Sequence, residues 1–309
     1  MADVGSSRVL TFDVGGSHVS AAVCHGEKYE LGPVAIALYA DVETSDAFVD
    51  LLCALGAKAA TGCEGGMGAT LAVPGPFNFE AGISLMKHKL PYLYGVDLRH
   101  ALSGRLGCEP GEVRFLNDAD AYLLGEVGAG VARGFRRAVG LTLGTGIGSA
   151  FTVDGRLVTE GPGVPADGEI WNVPYESGIV EDFVSARAVS GNYERRTGKK
   201  CTVAELAAVA PSDPDAEAAF EEFGQHLGRV VGVLLADFAA DVVVLGGGIS
   251  RSAHLFLPVT QSQISDETLL LRVSELKDRA PLVGCGVASF NGCNGTVAPA
   301  GVASAQGTA

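Results

Sequence analysis

Apolar and polar positions along the chain follow two periods. Arg8–Val14 and His18–Cys24 are short β-branched runs parted by Gly15-Gly16-Ser17, which predicts two strands joined by a hairpin turn. A third extended piece is expected around Val34–Tyr39, and Met67–Val73 reads as a strand stopped by Pro74-Gly75-Pro76. Between them, Phe48, Leu51, Leu52 and Leu55 share one face of a helix over 46–60. Val96–Leu106 predicts a second helix and Val113–Leu116 a further strand, with a helix opening near Asp118.

The second half starts over in the same way. Arg137–Leu143 is a strand, Gly144-Thr145-Gly146-Ile147-Gly148 a glycine turn and Ser149–Val153 a returning strand, followed by a hairpin signal at Asp154-Gly155. Strand, glycine turn, strand thus occurs near residue 13 and again near residue 145, a weak internal repeat. Phe220, Phe223, Leu227, Val230, Val231 and Leu234 recur at three and four residues, predicting a long helix. Val242–Leu245 is an apolar strand leading into Gly246-Gly247-Gly248. Pro281–Phe290 is compatible with a terminal helix, and Asn291–Ala309, uncharged and rich in Gly, Ala and Ser, reads as a flexible tail.

A length of 309 residues suggests two domains. The formal net charge of −14 argues against a sequence-independent grip on nucleic acid, which needs Lys and Arg facing phosphates. Asp237 and Asp241 interrupt the most apolar stretch, so no membrane span is expected. With no secretory pattern at the N-terminus, the expected location is cytoplasmic. Seven cysteines, odd in number and never spaced C-x-x-C, are expected to be free thiols, Cys293 in the tail being the most open to oxidation. Forty-three glycines, about twice ordinary usage, imply tight turns or backbone brought close to a ligand.

Three glycine turns each follow an apolar strand: Asp13-Val14-Gly15-Gly16-Ser17, Gly144-Thr145-Gly146 and Gly246-Gly247-Gly248. Singly each is an ordinary turn; together they suggest a shared anion site built from backbone N–H groups. No G-x-x-x-x-G-K-[ST] occurs, and the second turn lies between strands rather than before a helix, which disfavours a P-loop and a dinucleotide fold. Asp118, closing a strand and opening a helix, reads either as an N-cap or as a carboxylate poised to take a proton from a substrate hydroxyl, and the two are compatible. Glu169 and Glu181, among glycines, read as solvated loop acids or as acceptors for sugar hydroxyls. The six histidines neither cluster nor show metal-ligand spacing.

DVGGSHVSAAV, PGPFN, KLPYLYGVDL, FLNDADAYLLGE, LTLGTGIGSAF, DGEIWN, VEDFVSARAV and VVVLGGGIS follow one another in an order that resembles the ROK family, bacterial sugar kinases of the actin, hexokinase and chaperone-ATPase superfold. The resemblance covers about residues 8–290. It implies an α/β fold of two related actin/hexokinase-like (ribonuclease H-like) domains flanking a nucleotide and sugar cleft. The expected divisions are a small domain over 1–116, a larger one over 117–290 whose terminal helix returns to the small domain, and a tail over 291–309. It further implies an ATP-dependent hexose kinase, acting on glucose at O6 by default, and a homodimer. Asp13, Gly15 and Gly16 resemble the first phosphate loop, with Asp13 near a magnesium ion and reaching it through water. Gly144, Thr145 and Gly146 resemble the second phosphate loop, and Gly246, Gly247 and Gly248 the adenosine side. Asn117 would bind the sugar, Asp118 would be its general base, Glu169 and Glu181 would be the other sugar acids, and Asn78 a further contact.

The departures matter. Asn172 and Trp171 stand where the family's Glu-x-Gly-His has His and Gly, and the cysteine-rich zinc loop expected over 173–180 contains no cysteine, so no zinc site is expected. Asn172 can still bond a hydroxyl, Trp171 can close the pocket or stack on a sugar, and Lys89 replaces an Asn before Leu-Pro. Two alternatives stand beside the leading reading. Asp118-Ala119-Asp120 and the LTLGTGIGSA run also resemble polyphosphate-using glucokinases, though the net charge disfavours a long polyanion. A non-catalytic sugar sensor is the other, disfavoured because a pure binder does not need Asp118 as a base.

Overall fold

The computed structural model describes residues 8–291 other than Glu27 and Glu64. In the first half, β1 (Arg8–Val14) and β2 (His18–His25) pair antiparallel from Arg8 opposite His25 to Val14 opposite Val19. The short strands β3 (Glu30–Leu31) and β4 (Ala35–Leu38) both pair with β2. Helix α1 (Ser45–Ala59), capped by the Thr44 side chain, buries Phe48, Val49, Leu52 and Leu55; Leu51, expected on that face, is only partly covered. Strand β5 (Ala69–Val73) runs parallel to β1. A small hairpin of β6 (Phe77–Asn78) and β7 (Ile83–Ser84), helix α2 (Leu98–Leu106) and strand β8 (Val113–Asn117), parallel to β5, complete this half.

Helix α3 (Asp118–Ala129) carries the chain to the second sheet. There β9 (Arg137–Leu143), β10 (Ile147–Val153) and β11 (Arg156–Leu157) form an antiparallel meander, followed by a tight hairpin of β12 (Pro174–Tyr175) and β13 (Gly178–Ile179). Helices α4 (Val180–Phe183), α5 (Ala186–Thr197), α6 (Val203–Val209) and α7 (Pro214–Arg229) come next. The long helix expected through Leu234 leaves α geometry after Arg229 and continues as one wider π turn over Val230–Leu234. Strand β14 (Val242–Gly246), helix α8 (Leu257–Ser262), strand β15 (Leu270–Val273) and helix α9 (Ala280–Asn291) finish the described chain.

The two sheets have the same plan. Their strand orders are β3-β2-β1-β5-β8 and β11-β10-β9-β14-β15, with two antiparallel pairings followed by two parallel ones in each. The internal repeat glimpsed in two strands therefore extends over five. Each half buries its own core, around Phe12, Phe48, Leu52 and Leu71 in the first and Phe151, Phe220, Phe223 and Phe256 in the second. This is the two-part α/β architecture anticipated above.

Helices α3 and α9 pack between the sheets, and α9 also lies against β1, β2 and β5 of the first. The helices approach backbone to backbone because the crossing is made of glycines: a Cβ on Gly284 would sit 2.6 Å from the Ala121 carbonyl carbon, and one on Gly125 would strike Ala280. Asn291, expected to begin the tail, instead closes α9, its amide donating to the Tyr29 hydroxyl at 2.8 Å. Residues 292–309, with Cys293, lie outside the described residues. The six described cysteines are free thiols, and no described helix is long and apolar enough to cross a membrane.

Candidate active site

Parallel strands deliver their carboxyl ends to one edge of a sheet, where diverging loops open a crevice for ligands. In the first sheet Asp13 is in register with Ala72 on β5, and Val73 with Asn117 on β8, so Asp13 and Asn117-Asp118 share that edge. In the second sheet Thr142 on β9 is in register with Gly246 on β14, which places the turns at 144–146 and 246–248 together. Helix α3 begins at the first edge and packs on β9 and β10 of the second, bringing its first residues between the two. A Cβ on Gly148 would already touch that of Ala119 at 3.3 Å.

The cap of α3 is Asn117, not Asp118: the Asn117 Oδ1 accepts from the N–H groups of Ala119 at 2.9 Å and Asp120 at 3.4 Å. Asp118 is then the first helical residue. Its Oδ1 accepts from Ala119 N at 2.9 Å, and among the described residues no other side chain donates to this carboxylate. The exposed N–H groups of a helix start favour a carboxylate here. Burial outweighs them and raises the Asp118 pKa, while the Lys89 charge opposes the rise. Burial pushes Asp13 up to about 7, helped by the charges of Asp118 and Asp278. Asp120 is also pushed up to about 7, by burial and then by Asp118 and Glu169. Among the described residues the Asp13 carboxylate makes no hydrogen bond or ion pair. Acids gathered in this way call for a cation or a proton.

Glu169 follows a turn held by Ser149, whose hydroxyl donates to Gly168 O at 2.6 Å and accepts from Ile170 N at 3.0 Å. The Glu169 carboxylate accepts from the Trp171 indole at 2.7 Å. Glu181, at the start of α4, lies against the second glycine turn: Oε2 is 3.4 Å from Ile147 N, and a Cβ on Gly146 would collide with it. Arg187 stands 4.0 Å from Glu181 and 3.3 Å from Asp182. The two asparagines are less engaged. Asn172 is exposed with no side-chain hydrogen bond among the described residues, and the exposed Asn78 accepts from Ala81 N at 3.0 Å, capping its own turn.

The glycine turns divide their labour. Gly15 N donates to His18 O at 3.0 Å, and its carbonyl takes the Tyr39 hydroxyl. Gly246 lies under the Tyr122 ring and Gly247, at φ 79°, against the Leu143 backbone, so packing alone requires glycine at both. Gly16, Gly144 and Gly248 would each carry a Cβ in open space, so every turn keeps one unobstructed backbone position. Thr145 is exposed beside the second of these. Beyond the third turn lies a cavity of about 340 Å³ lined by Gly247, Ser250, Arg251, His254, Ser274 and Asp278. Asp278 and Ser274 were not singled out by the sequence; they follow β15, a strand the apolar pattern did not reveal.

Comparison with known proteins agrees with this geometry. The ROK family profile matches residues 9–287. The N-acetyl-D-glucosamine kinase of Escherichia coli K12 is 26% identical over 276 residues, 82% of this chain and 87% of the relative. Among solved structures, the ROK hexokinase of Thermus thermophilus superposes with a TM-score of 0.75 at 23% identity, over 92% of this chain and 98% of that one. The ROK family glucokinase of Streptomyces griseus, in complex with glucose and AMPPNP, does so at 0.76 and 21%, over 93% and 100%. With two sheets of one plan meeting at a cluster of acids and glycine turns, and the profile running almost end to end, the chain belongs to the ROK family.

Proposed function

We propose that the protein is a hexose kinase that moves the γ-phosphoryl group of ATP to a sugar hydroxyl, glucose at O6 being the first candidate and an N-acetylated amino sugar the next, with Asp118 as general base. The observation that carries the reading is Asp118 itself: a largely desolvated carboxylate at the first turn of α3, with Oδ1 held by Ala119 N and no other side chain among the described residues donating to it, beside Asp13. An alcohol is a poor nucleophile until a base lies within hydrogen-bond reach, and a base works best with its pKa near the working pH. Burial lifts Asp118 toward that range while Lys89 limits the rise.

The surrounding residues take complementary parts. Asn117 spends its Oδ1 on the cap, leaving its amide N–H groups for a sugar hydroxyl. Glu169 and Glu181 offer acceptors, with Asn172 and Asn78 as further polar contacts. The unobstructed backbone at Gly16 and Gly144, with Gly15, Thr145 and Gly146 around it, suits phosphate oxygens; Gly246, Gly247, Gly248 and the cavity beyond suit the adenosine. Asp13 fits a magnesium ion: it is a hard oxygen donor without a partner among the described residues, and such ions are commonly shared between one or two carboxylates and substrate phosphates. A bound magnesium ion supplies charge neutralisation on those phosphates. Polyphosphate as donor is the second reading; Lys277 on the cavity wall favours it, whereas Arg251 there is already paired with Asp278 at 2.6 Å.

The test is a coupled assay over a hexose panel with ATP, and in parallel with polyphosphate, comparing the parent with Asp118→Asn. Loss of a positioned base lowers kcat by about 10²- to 10⁴-fold while sugar binding persists. A parent as inactive as the variant on every sugar would leave a sugar-binding protein without transfer and refute the kinase.

A further inference from the structure

Trp171 is the chain's single tryptophan, and although 40% exposed it is tied at both ends. Its indole N–H donates to Glu169 Oε2 at 2.7 Å, and its main-chain carbonyl accepts the Glu181 N–H at 3.1 Å. One residue thus holds the carboxylate of one acid and the backbone of another ten positions away. The β12–β13 hairpin makes this possible by turning the chain back within six residues, with Val180 N donating to Val173 O at 3.0 Å and Ile179 N to Asp182 Oδ2 at 3.1 Å.

The physical effect is orientational. A glutamate on an irregular segment samples several rotamers, and a donor to one oxygen selects among them while leaving Oε1 for a ligand. An indole next to a carboxylate also presents an apolar plane beside a hydroxyl acceptor, which matches a hexose with its C–H face on one side and its hydroxyls on the edge. Where the family pattern places Gly and His, this chain places a side chain able to fix the acid itself.

We propose that Trp171 is the positioning and specificity residue of the sugar subsite, bracketing Glu169 and Glu181 and offering its ring to the apolar face of the sugar. The inference rests on the kinase reading for the identity of the ligand. Removing one hydrogen bond to a charged group corresponds to a roughly ten- to hundredfold loss. Trp171→Phe, which keeps a ring and removes the N–H, is therefore expected to raise the hexose KM by about that factor while the KM for ATP and kcat change little. Trp171→His, which returns a donor, recovers part of the loss. In the parent, the fluorescence of the single tryptophan shifts saturably as glucose or N-acetylglucosamine is added.

The outcomes separate cleanly. A parent that phosphorylates hexose, with no change of fluorescence and no change of hexose KM in Trp171→Phe, overturns the bracket and leaves the kinase standing. A saturable fluorescence shift without any turnover supports the bracket and overturns the kinase. Neither turnover nor a shift on any sugar overturns both. Should Trp171→Phe fail to fold, the parent titration decides alone.

Discussion

Gly284→Ala tests the crossing of α3 and α9, which sets where Asp118 stands. A Cβ at Gly284 would lie 2.6 Å from the Ala121 carbonyl carbon and 2.9 Å from Gly125 N, all backbone atoms of a packed helix. The Cβ would strike the Ala121 carbonyl oxygen first, and non-bonded carbon contacts settle at about 3.5–4.0 Å, so the helices must part by at least about 1 Å, forfeiting about a quarter to a half or more of the attraction between the surfaces that separate. Overpacking of this kind costs about 1–3 kcal/mol, and the better helix propensity of alanine returns at most about 1 kcal/mol. Because the atoms struck are all backbone and cannot give way, the upper end applies, and about 3 less about 1 leaves a net destabilisation of about 2 kcal/mol. At about 2–4 °C per kcal/mol for chains of this order, Tm falls by roughly 4–8 °C. Gly104→Ala in α2 is the control, since a Cβ there meets nothing within 4 Å and propensity acts alone. Thermal unfolding followed by circular dichroism reads both. Gly284→Ala lowers Tm and hexokinase turnover together, whereas Gly104→Ala raises Tm slightly. A Gly284→Ala protein at least as stable as the control would show that the helices do not meet backbone to backbone, and the placement of Asp118 would lose its support.

The acids give a pH dependence of definite sign. Asp13 and Asp120 titrate near 7 when folded and near 3.8 when unfolded, so the folded protein holds more protons between these values and loses stability as pH rises through them. Ligand-free Tm is expected to be higher at pH 5.5 than at pH 8, with the difference reduced in Asp120→Asn; a rise of Tm with pH over that window contradicts the burial of these carboxylates. Gly146→Ala places a methyl group on the Glu181 carboxylate and is expected to weaken hexose binding at least tenfold in isothermal titration, more than its effect on Tm would suggest. Unchanged hexose affinity would remove Glu181 from the sugar subsite.

What the sequence made legible was local: β1, β2, β5, β8, β9 and β14 from their apolar runs, α1 from its face, and the acid and glycine turns from their place at strand ends. Its misreadings were also physical. Asp118 looked like the cap because Asp and Asn both cap well, and only geometry shows that Asn117 takes the N–H groups. At Gly246 and Gly247 the sequence offered no sign of a packing reason for glycine, because the crowding comes from Tyr122 and Leu143, more than a hundred positions earlier. Nothing in the sequence marked glycines 125 and 284, where α3 and α9 meet backbone to backbone. The tie of Trp171 to Glu169 and Glu181 had no signal, because it depends on a six-residue hairpin whose closure no pattern announces.

Helix α9 has a consequence for how the molecule comes into being. Cys285 and Gly286 meet Phe12 and Cys24, and Ser289 meets Thr70, so the inner wall of the amino-terminal sheet is finished by a segment synthesised more than two hundred residues later. Until that segment arrives, apolar strand surface stands uncovered on the nascent chain, and contacts of such long range close slowly. The nascent amino-terminal half therefore waits, open to chaperones and to misassociation, for the stretch that seals it.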